Sequence, residues 1–164
     1  MRPHLEFASV IWSPKLKKEK NLIEQVQRRA TRLVPELKGK TYPERLQALQ
    51  LETLQYRRVR ADVLETFRIM SGAHQVNLDT HCHRCPGPGK HMFTKSLSTT
   101  TRGHSMKLQA QKSVGIRHSF FSERVLNIWN SLDQDTINSP NINIFKSRIN
   151  NQLERFCPKF NYTF

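Results

Sequence analysis

Acids, cysteines, glycines and long apolar runs are all scarce in this chain, and each shortage excludes something. Three cysteines, Cys82, Cys85 and Cys157, cannot build a dense disulfide framework, which points to a reducing compartment. No apolar run approaches the roughly 20 residues that span a bilayer. The opening residues, Met1-Arg-Pro-His-Leu-Glu6, lack the apolar core of a secretion signal. The expectation is an intracellular protein, nuclear or cytoplasmic, that is neither secreted nor membrane-bound. The sequon Asn161-Tyr-Thr163 reads as chance.

Aspartate is the shortage that bears most on chemistry. Two-metal nucleotidyl transfer needs clustered carboxylates. The aspartates here are Asp62, Asp79, Asp133 and Asp135, with no adjacent pair. Asp133-Gln-Asp135 is the one close pair, with Glu123 as its nearest candidate partner, and acids at a helix end commonly just fill turns. No Gly-rich phosphate loop with its Lys occurs, nor a nuclease-like acidic set. The chain by itself reads as no enzyme.

Positive charge is what the chain has in excess. Its net charge is +14, and residues 1–70 hold 15 Lys and Arg against 8 acids while residues 71–118 hold 7 against 1. Residues 119–164 are near neutral, with 5 against 4. The basic part therefore suits a polyanion such as nucleic acid, and the last third suits packing.

The clearest basic element is Asn21-Leu-Ile-Glu-Gln-Val-Gln-Arg-Arg-Ala-Thr-Arg-Leu-Val-Pro35. Leu22, Ile23, Val26, Ala30, Leu33 and Val34 share an arc about 120° wide on a helical wheel. Gln25, Arg28, Arg29 and Arg32 occupy much of the other side. Asn21 is the expected N-cap and Pro35 the stop. The expectation is a buried aliphatic arc and an outward face of guanidinium groups suited to a phosphate backbone. An ordinary solvated basic face is the alternative. Membrane binding is disfavoured, because the arc has no Trp or Phe anchor.

Around this helix, residues 4–14 fit helix and strand templates in part and are read as helix. Pro14 and the run Lys15-Leu-Lys-Lys-Glu-Lys20 form a charged connection into the basic helix. Thr41-Tyr-Pro-Glu-Arg starts a short helix with Thr41 as cap. Thr53 opens the longest one, to about Met70, with Tyr56, Val59, Val63, Phe67 and Met70 as its stripe. Arg57, Arg58 and Arg60 lie off that stripe and form a second candidate phosphate contact. Residues 72–104 lose all apolar periodicity and read as a flexible linker. Within it Cys82-His-Arg-Cys85 and His91 have the spacing of part of a zinc knuckle. The fourth ligand is ambiguous among His74, His81 and His83, so the assignment is no cofactor, with zinc as the alternative. Met106–Gln111 and Ser113–Arg117 resemble a short β-hairpin. Ser119 caps a helix to about Leu132, carrying Phe121, Val125, Ile128, Trp129 and Leu132. A last helix carries Ile142, Phe145, Ile149, Leu153 and Phe156, and the two should pack as a helical hairpin.

The predicted fold is mainly α. A basic helical unit spans 3–71, a flexible linker 72–104, a possible β-hairpin with a two-helix unit 105–156, and a frayed tail 157–164. With these motifs assembled, the chain resembles the region after the palm in reverse transcriptases of non-LTR, LINE-type retrotransposons. The resemblance rests on Arg2-Pro-His-Leu-Glu-Phe7, Trp12-Ser-Pro14, Val26-Gln-Arg-Arg-Ala-Thr31, Tyr42-Pro-Glu-Arg-Leu46 and Leu51-Glu-Thr-Leu54. It continues through Tyr56-Arg-Arg-Val-Arg60, Thr101-Arg-Gly-His104, Phe120-Phe-Ser-Glu-Arg-Val125, Trp129-Asn-Ser-Leu132 and Phe145-Lys146. It departs at Asp133, where the family often has Pro. The resemblance implies a thumb-like helical region that grips template RNA and the growing duplex beside the palm. By that analogy the chain is an excised C-terminal piece of an RNA-directed DNA polymerase without its catalytic palm. Its expected partner is RNA or DNA backbone, bound without base specificity through Arg28, Arg29, Arg32, Arg57, Arg58 and Arg60. The alternatives are a structural module that packs on a polymerase palm, and a retrotransposon-derived reading frame with no selected role.

Overall fold

Helices make up most of the described residues. The computed structural model describes residues 2–73, 93, 95–96, 103–110, 115 and 119–160. Its helices are α1 (Arg2–Glu6), α2 (Lys17–Arg32), α3 (Tyr42–Ala48), α4 (Leu54–Met70), α5 (Phe121–Arg124), α6 (Leu126–Asn130), α7 (Gln134–Ile137) and α8 (Ile142–Leu153), with a 3-10 turn at Pro35–Leu37. The mainly α expectation holds. Two compact units result, Met1–Asp62 with Asn150–Phe164, and Val63–Ile149. The division falls inside α4 and α8 rather than at the expected 71 and 105.

In the first unit, helix ends follow local chemistry. Glu19 reaches back to the Leu16 N–H at 3.3 Å and fixes the start of α2. Asn21, expected as the cap, lies inside the helix. Glu44 accepts from the Thr41 N–H at 2.6 Å and starts α3, and those bonds hold its carboxyl below the usual range. α3 stops in a Schellman arrangement. The Leu51 N–H donates to Leu46 O at 2.8 Å and the Gln50 N–H to Gln47 O at 3.1 Å, with Gln50 at φ +51°. At α4, the Thr53 hydroxyl accepts from the Tyr56 N–H at 3.2 Å. Residues 4–14 are helical only to Glu6 and then turn, with Ala8 at φ +51°.

The orientation of α2 differs from expectation. Its buried residues are Glu24, Gln27 and Thr31, whereas Leu33 is 79% exposed, Leu22 54% and Val26 37%. At about 100° per residue, the buried direction lies about 110° from the centre of the aliphatic arc. The cause is a set of polar bonds that only this orientation closes. Glu24 accepts from the Tyr42 hydroxyl at 2.5 Å and from the Leu54 N–H at 3.0 Å. Gln27 donates through Nε2 to Glu52 O at 3.0 Å and to the Tyr42 hydroxyl at 3.2 Å. Arg45 donates to the Thr31 hydroxyl at 3.3 Å and to Lys40 O at 2.8 Å. Burial raises the Glu24 carboxyl, against the bonds from Tyr42 and Leu54 and the nearby Arg28 charge. Burial and the Glu24 carboxylate together push the Tyr42 hydroxyl up.

The tail is also tied down where fraying was expected. The Thr53 N–H donates to Lys159 O at 3.0 Å, and Cys157 is buried, which pushes its thiol up to about 11. The Tyr56 hydroxyl donates to Asn150 O at 3.2 Å. These bonds let the residues after α8 close over the start of α4. Residues 161–164 lie outside the described ones.

The second unit is built on aromatic rings. Phe67 and Phe145 stack at 4.1 Å between centroids, and Trp129 lies 6.3 Å from Phe145. The expected 119–132 helix is two short ones, α5 and α6, broken at Val125. Phe120, not Ser119, occupies the N-cap position. The expected turn between the two C-terminal helices contains α7, with Asp133 at its N-cap. The Asn141 side chain opens α8 by accepting from the Asn143 and Ile144 N–H groups at 3.1 and 3.0 Å.

Part of the expected linker is packed. Phe93 is buried and meets Phe121 edge-on at 5.4 Å, and His104 is buried beside Trp129. Of the expected β-hairpin, residues 111–114, 116 and 117 lie outside the described ones. Its first segment is otherwise engaged. Leu108 makes a lone antiparallel bridge with Lys95, and the Asn130 amide bonds both the N–H and the C=O of Leu108 at 2.8 Å. An amide that donates and accepts in one plane does here what a partner strand would do.

The polar seam and the α3 terminus can each be tested by unfolding. Glu24→Ala removes the acceptor of two buried donors and is expected to cost about 2–4 kcal/mol in urea unfolding. A loss below about 1 kcal/mol would remove the network from its structural role. Gln50→Gly relieves a left-handed residue at a helix end and is expected to raise stability by about 0.5–1 kcal/mol. A decrease in the same unfolding midpoint would contradict that reading of the α3 terminus.

Candidate nucleic-acid interface

Six arginines are the expected phosphate contacts, and the fold separates them. Arg57 donates to both Glu6 carboxylate oxygens, the Nη2 to Oε2 bond measuring 2.7 Å. That pair raises its guanidinium further, against partial burial. Arg58 is buried, donates to Leu5 O at 2.7 Å and lies over the Trp12 ring at 4.2 Å. Arg60 approaches Glu52 at 3.7 Å. These three hold the chain's N-terminal residues and Glu52 against α4. Sequence alone cannot separate a surface arginine from one whose carboxylate partner is 51 residues away.

The other three lie on α2. Arg28 is half-buried and sits over the Tyr42 ring at 4.7 Å. Arg29 and Arg32 are exposed. With Lys18 and Gln25, also exposed, they recur at i, i+7, i+11 and i+14, all within a sector about 60° wide. Lys18 thus belongs to this strip rather than to a connection ahead of the helix. Its spacing from Gln25 and Arg29 is the sequence signal for that placement.

Beside the cations runs a second strip. Leu22, Val26 and Leu33 fill the next sector, about 40° wide, and face outward. Beyond them the half-buried edge of the same arc opens into a cavity of about 220 Å³. Leu5, Val26, Ala30, Val34, Leu49 and Leu51 form its apolar lining. The exposed side of α2 thus combines fixed positive charge with uncovered aliphatic surface. Its cations can hold anionic oxygens, and its aliphatic strip can lose water only against another apolar surface.

The candidate acids and metal ligands are only partly among the described residues. Asp62 is buried on α4, and Asp133 and Asp135 are exposed at the start of α7. Among the described residues no three His, Cys, Asp or Glu side chains gather as a metal site. Cys82, Cys85, His91 and Asp79 lie outside the described residues. Among the described residues, no helix is long and apolar enough to cross a membrane.

No family model, curated protein or solved structure matches this chain.

The separation of the arginines can be measured without any ligand. Arg57→Gln is expected to lower unfolding stability by about 1–2 kcal/mol, because Glu6 loses a two-bond partner. Arg29→Gln and Arg32→Gln should each stay within about 0.5 kcal/mol of the parent. Equal effects at all three positions would show that the two groups are not distinct.

Proposed function

We propose that this chain is the post-palm helical part of a LINE-type reverse transcriptase, without the polymerase centre, and that it holds nucleic-acid backbone without base specificity. The observation that carries the reading is the outward strip Lys18, Arg29 and Arg32 on α2. The ordered sequence resemblance and the net charge of +14 support it. The contact is narrower than the six arginines suggest. Arg57, Arg58 and Arg60 serve the fold, and Arg28 steadies Tyr42. Phosphate contact through flexible cations carries no base readout, so RNA and DNA should both bind and both respond to salt.

A second reading has its own support. The exposed Leu22, Val26 and Leu33 and the adjoining cavity favour a module that packs against the polymerase palm. In that reading α2 is an internal seam of a larger enzyme.

Fluorescence anisotropy with short RNA and DNA oligonucleotides across a salt series tests the first reading. Lys18→Gln, Arg29→Gln and Arg32→Gln combined should flatten the slope of log affinity against log salt by about one for every phosphate that the altered side chains no longer neutralise. A binding curve indifferent to salt and to the triple change would end the proposal. Leu22→Ser, Val26→Ser and Leu33→Ser combined should leave that binding intact but abolish association with a separately supplied palm, if the second reading holds. A chain with neither property is a reading frame without a selected role.

A further inference from the structure

At His104, in the second unit, the backbone has claimed both ring nitrogens in opposite senses. Nε2 lies 2.9 Å from Trp129 O, which can only accept, so Nε2 carries the hydrogen. The Met106 N–H donates to Nδ1 at 3.2 Å, so Nδ1 must be bare. Only the neutral Nε2–H tautomer satisfies both. A proton added at Nδ1 sets a donor against a donor inside a buried site. The imidazolium is thus incompatible with this arrangement, whatever the surrounding field.

The segment that His104 anchors is Gly103–Ala110, and it lies along α6 and α7. Trp129 returns its indole N–H to Met106 O at 2.9 Å. Asn130 holds Leu108 by two bonds, and Gln134 accepts from the Ser105 N–H at 2.8 Å. His104 donates to Trp129 O while Trp129 donates to Met106 O, and the Met106 N–H donates back to His104, so the three residues close one small ring of contacts. Among the described residues, Lys107, on the same segment, is the charged group whose field reaches the ring. α6 brings the uncharged Trp129 and Asn130, α7 brings Gln134, and Asp133 and Asp135 of α7 are exposed. Burial and the Lys107 charge both hold the ring below the ordinary histidine range, against the bond to Trp129 O.

We propose that His104 is an acid-sensitive latch: neutral, it fastens the 103–110 segment over Trp129, and protonated, it releases it. The sign follows from linkage. The open segment takes up the proton at the ordinary histidine value, about 6.5, while the closed segment resists until lower pH. Closure is therefore at full strength above about pH 6.5 and weakens as pH falls below it.

Nuclear magnetic resonance on the full chain tests this in three signals. The imidazole nitrogens of His104 should show the neutral Nε2–H tautomer at pH 7 and titrate below the ordinary histidine range. The Trp129 indole N–H should move with the same midpoint. Protection of the Met106 and Leu108 amides against hydrogen exchange, corrected for intrinsic rate, should fall by up to about tenfold per pH unit between about pH 6.5 and that midpoint and level off below it, while α2 amides keep theirs. His104→Gln can donate and accept in the same directions and should remove the midpoint from the Trp129 signal. The opposite tautomer, titration at or above the ordinary value, or Trp129 and Leu108 signals that ignore the His104 midpoint would each overturn the latch. The tautomer and titration are read on the unaltered chain, so failure of the variant to fold leaves the test intact.

Discussion

A buried carboxylate sets the geometry of the basic helix. Glu24 is 2% exposed and joins two elements to α2, Tyr42 at the start of α3 and the first N–H of α4. The N-terminus of α4 has unsatisfied N–H groups and a positive dipole end, and a carboxylate from another helix serves both. Gln27 completes the arrangement by placing one amide nitrogen on Tyr42 and on Glu52 O. Such bonds are directional, whereas burial of Leu or Val is not. Turning α2 to bury its aliphatic arc would leave the Tyr42 hydroxyl and the Leu54 N–H without their acceptor inside the unit. Each such loss costs about as much as burying one aliphatic side chain returns.

That exchange has a functional consequence. Once the polar seam faces inward, the aliphatic residues Leu22, Val26 and Leu33 have to face out, next to Lys18, Arg29 and Arg32. Under the proposed function, this aliphatic surface and its neighbouring cations let the helix work against something else. The cations suit phosphate, and the aliphatic strip suits a protein face. Under the proposed function, a palm with nucleic acid lying in it offers both.

The second unit solves a different problem with a similar device. Among the described residues its 103–110 segment meets other backbone at the isolated Lys95–Leu108 bridge, and its remaining backbone groups need partners. Side chains supply them: Asn130 for Leu108, Trp129 for Met106, and His104 for Trp129 in return. Phe67, Phe145 and Trp129 provide the apolar platform beneath. Because a histidine closes this set, the segment's attachment depends on a proton in a way that an asparagine-only clasp would not.

Much of this was legible in the residues. Thr53 and Tyr56 marked the start of α4, and Phe145, Ile149 and Leu153 marked the buried line of α8. Helix and turn propensities are local, so a few neighbouring residues suffice to state them. Distant partners were not legible: Glu6 for Arg57, Glu52 for Arg60, and the residues after α8 for the cap of α4. The sequence by itself determined that the chain is helical, basic through its first two thirds and without an adjacent aspartate pair, because composition and period already contain those facts. Only the tertiary structure decided which side of α2 faces inward. A helical wheel weighs side chains by hydropathy alone, and hydropathy carries no information about a carboxylate whose donors arrive from other helices.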